Sequence, residues 1–210
     1  MQRLLLTVFI IVTINFVTYS QNFNGGIILG FNTSQVGGDN LSGFQKVGPI
    51  IGIFSNKSIT PKLNLQFEMY YIHKGSNNPE MNNSQNTYYL VPDITTKYIE
   101  TPLTINYQLK KQMLIEGGVM TAFLIDGYYN DLYGEINNLN PIFQKYDIGL
   151  VFGINYKYSE NISFNARISN SIFPIGQEDN SIFNENNNYN SINKGKYNSV
   201  LSISVYYHVI

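Results

Sequence analysis

The chain has 210 residues, only 13 % of them charged, a formal net charge of −1 and no cysteine. Without cysteine there is neither a disulfide framework nor a thiolate metal site, and without a basic excess there is no electrostatic footprint for nucleic acid. The length suits one domain.

Residues 1–20 read as a signal peptide. Arg3 supplies the positive start, residues 4–17 the apolar run, and Thr18-Tyr19-Ser20 ends on a small residue before a cut at Gln21. Asn15 interrupts that run, and the run is shorter than the about 20 apolar residues a spanning helix needs. Nothing downstream reaches such a length without a polar residue. The mature chain, 21–210, therefore either stays out of a bilayer or crosses it as strands.

In chain order, long polar stretches alternate with short ones. A strand at 25–34 leads into a loop at 35–46, and the next strand ends in a short connection at 56–62. The strand at 63–74 leads into 75–96, and its successor ends at 109–112. The strand at 113–125 leads into 126–144, and the one after it ends at 159–161. A final pair brackets 174–195. This rhythm predicts an all-β fold: an eight-stranded antiparallel up-and-down transmembrane β-barrel, with long outer loops and short periplasmic turns.

Side chains on a strand alternate between two faces. Leu65, Phe67, Met69 and Tyr71 oppose Gln66, Glu68, Tyr70 and Lys74; Ile99, Leu103 and Ile105 oppose Glu100, Thr104 and Asn106. Ile148, Leu150, Phe152 and Ile154 oppose Asp147, Gly149, Gly153 and Asn155. Phe164, Ala166 and Ile168 oppose Asn165, Arg167 and Ser169, and Leu201, Ile203, Val205 and Tyr207 oppose Ser202, Ser204, Tyr206 and His208. The first, second and fifth strands are less tidy, because Ile28, Ile50, Met120 and Leu124 fall on the polar side.

Charge placement sharpens the reading. Glu68, Lys74, Glu100, Glu116, Asp147, Lys157 and Arg167 all share the phase of the small and polar residues. A lipid-facing Lys or Arg at mid-membrane costs about 2–4 kcal/mol, so a bilayer enforces this segregation. A soluble lipocalin-like barrel also alternates, but it turns charges outward. Here the charged face is also the glycine face, and glycine relieves crowding inside a narrow eight-stranded barrel. On an exposed face it would only weaken the strands.

Tyrosine is abundant, at 17 residues, and suits membrane–water interfaces. Tyr107, Tyr156, Tyr158 and Tyr207 fall near the short-turn end, and Tyr71, Tyr98, Tyr128 and Tyr146 toward the long-loop end. They are expected to form two aromatic girdles.

Several stretches carry a family pattern in order: Gly30-Phe31-Asn32, residues 65–71 through Lys74-Gly75, Tyr98-Ile99-Glu100-Thr101-Pro102-Leu103, Gly117-Gly118, and Tyr146-Asp147-Ile148-Gly149-Leu150 with Gly153. In these the chain resembles the Bacteroidetes outer-membrane β-barrel family often labelled PorT-like. The resemblance implies residence in the outer membrane of a Gram-negative envelope, with outer-membrane lipids and the barrel-assembly machinery as partners. A namesake of that family is associated with type IX secretion, which makes an accessory role in secretion one alternative. The chain departs from the usual aromatic ending by closing on Tyr207-His208-Val209-Ile210. Alternation continues to that end, so insertion is still expected.

The seven charged residues are expected to form an interior polar network that plugs the barrel, with Glu68 and Arg167 paired near mid-strand. Arg suits this because its planar fork matches two carboxylate oxygens. Four acids against three bases leave one acid in excess. A proton or ion pathway is the functional alternative, although a barrel this narrow is normally filled by its own side chains. A lipid-modifying enzyme is another: His73 lies at the long-loop end near Ser76 and Glu80, but a nucleophile–base pair must meet in space, and parity turns His73 outward. Neither catalytic residues, nor a metal site, nor a cofactor is assigned. His208 lies at the opposite end from His73, and Asp126, Asp131 and Glu135 lack calcium-loop spacing. An extracellular ligand or envelope protein partner is left open, with Asn- and Tyr-rich outer loops as the contact surface.

Overall fold

A computed structural model describes residues 23–39, 41, 43–79, 93–131, 134–135, 143–176 and 195–209; the expected signal peptide lies outside them. Eight long strands form the wall: β1 (Phe23–Gly37), β2 (Lys46–Thr60), β3 (Leu63–Ser76), β4 (Asp93–Lys110), β5 (Met113–Asp131), β7 (Tyr146–Lys157), β8 (Ile162–Ser171) and β9 (Tyr197–His208). Each pairs antiparallel with its neighbours in the chain, and β9 returns to β1 to close the ring. A two-residue strand, β6 (Gly134–Glu135), adds only to the outer end of β5. Among the described residues closure leaves no long edge unpaired, which hydrocarbon demands.

Several strands outrun the apolar stretches that announce them. β2 continues to Thr60, which reduces the connection expected at 56–62 to Pro61 and Lys62. β4 starts at Asp93 and β5 runs to Asp131, so both adjoining outer loops are shorter than expected. The reason is that backbone hydrogen bonds sustain a ladder beyond the hydrocarbon, where hydropathy no longer marks it.

The outer face is a continuous apolar belt that includes Leu29, Ile53, Phe67, Leu103, Phe152 and Ile203, all exposed on the isolated chain. Soluble monomers rarely expose apolar patches beyond a few hundred Å², and this belt encircles the molecule. Lipid covers it.

The inner face is packed rather than open. Ile28, Ile50 and Met120, the residues out of place in the simple alternation, are buried with Ile72, Val151 and Val200 among Phe54, Tyr70 and Tyr206. Glycine makes this possible where strands carry bulky partners. Gly52 faces Tyr70 across the β2–β3 pair, and a Cβ there would stand 2.3 Å from the Tyr70 Cβ.

One departure from the alternation and one from the girdle expectation matter. Lys97 pairs with Asp126 but Tyr98 pairs with Leu124, leaving Ile125 as a bulged residue. The phase of β5 flips there, so Ala122 and Tyr129 both point inward. Tyr98 corrects the girdle expectation: it is fully buried in the lumen, at 0 % exposure. It shares the inward phase of Glu100 and Thr104, and position near the interface does not override that phase. Tyr107, Tyr146, Tyr156 and Tyr207 are exposed on the outer face, and Tyr71 is half-buried there.

Candidate functional site

The centre of the lumen is an arginine held by two glutamates. Arg167 on β8 donates from Nη1 to Glu68 Oε2 at 2.9 Å and from Nη2 to Glu68 Oε1 at 2.8 Å. Its Nε and Nη2 donate to the two Glu116 oxygens at 2.6 and 3.1 Å. β3 and β8 stand on opposite sides of the ring, so the Glu68 pair crosses the whole lumen. The Glu116 pair depends on register: Glu116, Gly153 and Arg167 are successive partners across β5, β7 and β8. A Cβ on Gly153 would lie 2.4 Å from Glu116 Oε1. The missing side chain is the space in which acid and base meet.

Hydrogen bonds complete this clamp. Glu68 Oε1 accepts from Gln66 at 2.6 Å and from the Tyr206 hydroxyl at 3.1 Å. Glu116 accepts from Asn155 and Asn165, each at 2.9 Å. Desolvated charges are tolerable only when so completely partnered.

Nearer the long-loop end, Lys74 is ion-paired with Glu100 and lies 3.4 Å from Asp147 Oδ2. Glu100, Ala122 and Asp147 are register partners across β4, β5 and β7, and the small Ala122 leaves room for the lysine. The Lys74 ammonium also sits 5.2 Å from the centre of the Tyr98 ring, a favourable cation–π distance. Tyr70 joins the two layers, donating its hydroxyl to Glu100 at 2.6 Å. Asn198 donates to Asp147 at 2.9 Å.

Lys157 is a correction to the expected network. It is the last residue of β7, exposed at the short-turn mouth rather than buried among the acids. The lumen opens to solvent there, so inward phase no longer means burial. Glu68, Glu100, Glu116 and Asp147 then face Arg167 and Lys74, leaving two acids in formal excess instead of one. The tyrosine, glutamine and asparagine donors spread that excess.

The two ends of the lumen differ. At the short-turn end lies a polar cavity of about 620 Å³, with Gln66, Asn106, Asn155 and Tyr206 among its lining. At the long-loop end the lumen is capped by Val36, Ile94, Tyr129, Phe143 and Ile175, all buried together. Phe143 stacks on Tyr129 with ring centres 5.2 Å apart, and Lys196 donates to the Tyr129 hydroxyl at 3.1 Å. Backbone bonds from Gln144 to Ile175 and from Ile175 to Lys196, both 2.7 Å, draw the roots of the last two long loops across the opening. Beside them, burial raises the Asp39 carboxyl above its ordinary value, partly offset by hydrogen bonds.

The outer-rim residues do not assemble as a nucleophile and base. His73 meets the Tyr71 hydroxyl on the lipid side, whereas Ser76 is buried toward the lumen; Glu80 lies outside the described residues. Among the described residues no group of three or more His, Asp or Glu side chains is placed to hold a metal.

A sequence-family profile described as "Outer membrane protein beta-barrel domain" matches residues 18–177. Among solved structures, Neisserial surface protein A is similar at a TM-score of 0.50, with 13 % identity, over 88 % of this chain and 96 % of that one. Ail, the attachment invasion locus protein of Yersinia pestis, gives a TM-score of 0.48 and 10 % identity over 89 % of this chain and 98 % of its own. OprG from Pseudomonas aeruginosa gives 0.40 and 14 % over 89 % and 93 %. None of the curated proteins compared matches the chain. The likeness to Neisserial surface protein A is one of fold.

Proposed function

We propose a function from one premise: the chain belongs to the outer membrane protein beta-barrel domain family. It is an outer-membrane β-barrel protein, and the bilayer of that membrane is its solvent. Its role in our reading is non-catalytic: a structural or surface-interaction component of the envelope, exported by the signal peptide at 1–20 and contacting its partner through the polar outer loops. The PorT-like resemblance belongs to the same reading, with an accessory task in secretion as the form that partner contact would take.

One observation carries this. The lumen is obstructed at two levels, by the Arg167 clamp that crosses it and by the apolar cap over its outer mouth. A barrel so filled favours contact over transport. Purified protein in a planar bilayer should pass no stable current, and reproducible unitary conductance steps would overturn the reading. The lipid-enzyme alternative is tested by lipid analysis of a deletion strain, where unchanged lipid A acylation supports the non-catalytic role. Mild-detergent purification tests the secretion form, because an accessory component should bring envelope proteins with it.

A further inference from the structure

We infer that the short-turn mouth of the barrel is a blind recognition cup for a short peptide bearing a carboxylate, offered from the periplasm. The inference rests on the family reading only for which side of the membrane the cup faces.

The cup is a polar cavity of about 620 Å³ lined by residues of the short-turn end. Its floor is fixed. Asn155 donates to both Asn106 Oδ1 and Glu116, at 2.7 and 2.9 Å, and itself accepts from Asn165 at 2.8 Å. Gln66 is held by Glu68. The clamp therefore closes the cup from above and makes its base rigid, so a ligand can enter and leave but not pass.

The wall is rich in side-chain amides, including Asn24, Asn56, Asn64 and Gln112. A side-chain amide offers a donor and an acceptor in the same plane, matching a peptide bond. The lip is basic. Lys111 and Lys157 line the opening together with one acid, Glu160, and exposed Lys62, in the β2–β3 turn, and Lys110, at the end of β4, lie near it. An ammonium supplies the charge-assisted hydrogen bond that a carboxylate accepts. Amide wall and cationic lip together fit a peptide end better than a neutral sugar. A phospholipid headgroup would approach from the lipid side of the strands, where it meets none of these amides.

The test is side-chain amide NMR on the full barrel in lipid nanodiscs. The probes are N-acetyl-trialanine with a free C-terminal carboxylate, its C-terminal amide, N,N′-diacetylchitobiose and inorganic phosphate. The free-acid peptide should give saturable shifts at Asn56, Asn64 and Gln66. Amidation should weaken binding about tenfold, the equivalent of one charge-assisted hydrogen bond. K111Q with K157Q should reduce the free acid to the level of the amide while the Arg167 Nε signal stays unmoved, reporting an intact clamp. No saturable shift, an equal response to acid and amide, or a response to the disaccharide or to phosphate alone would each overturn the inference. Because binding in nanodiscs does not depend on conductance or cellular orientation, its failure leaves the family reading standing.

Discussion

Arg167 and Glu68 meet across the full width of the barrel, from opposite strands, through two parallel hydrogen bonds of 2.9 and 2.8 Å. The pair is a cross-brace as well as an electrostatic partner, because it ties together walls that share no ladder bonds. Glu116 holds the same guanidinium from a third strand.

Removing Arg167 alone should cost more than removing it together with Glu68. Arg167→Ala strands two buried carboxylates, and breaking a buried pair costs about 3–5 kcal/mol. Glu68→Ala in that background removes one stranded charge, so the double variant should be less destabilised than the sum of the singles. Thermal or denaturant unfolding in detergent gives the cycle. Additive losses would show that the two groups do not interact.

Gly153 should tolerate nothing larger. Alanine there would press on Glu116 Oε1 and on the Ala166 carbonyl oxygen, at 2.4 and 2.8 Å. Gly153→Ala should therefore lose about 1–3 kcal/mol, the usual range for overpacking. Adding Glu116→Ala should recover little, because the clamp is then lost as well. Unchanged unfolding of Gly153→Ala would mean the clamp has slack that the geometry denies.

Much of this was legible in the sequence, and the exceptions have physical causes. Period-two alternation placed Glu68, Glu100, Glu116, Asp147 and Arg167 on one face because hydrocarbon forbids them the other. Alternation alone places Tyr98 inside, since it shares the phase of Glu100, whereas nearness to the membrane interface points it outward; phase prevails. The flip at Ile125 is invisible to any fixed period, and it carries Tyr129 into the lumen. The cap was not legible at all. Phe143 and Ile175 come from loop roots, where no repeating pattern distinguishes an apolar residue that folds inward from one that does not. Lys157 had the correct phase but not the depth, which alternation does not report.

The cap makes its own prediction, helped by the absence of native cysteine. Asn198 is buried at 1 % exposure between the cap and the clamp. A lone Asn198→Cys thiol should resist a water-soluble maleimide on the folded barrel. Adding Phe143→Ala should expose it, with about 3–5 kcal/mol of stability lost as the aromatic contact is removed. Equally fast labelling with and without Phe143 would show that the cap does not seal the lumen.

The central claim is that lipid covers one face of each strand while the other face closes the lumen. A spin-label scan of single cysteines from Leu201 to Tyr207 on β9, in lipid nanodiscs, tests this most directly. Collisions with dissolved oxygen should peak at Leu201, Ile203, Val205 and Tyr207 and fall at Ser202, Ser204 and Tyr206. A flat profile, or one with peaks at the serines, would contradict the account.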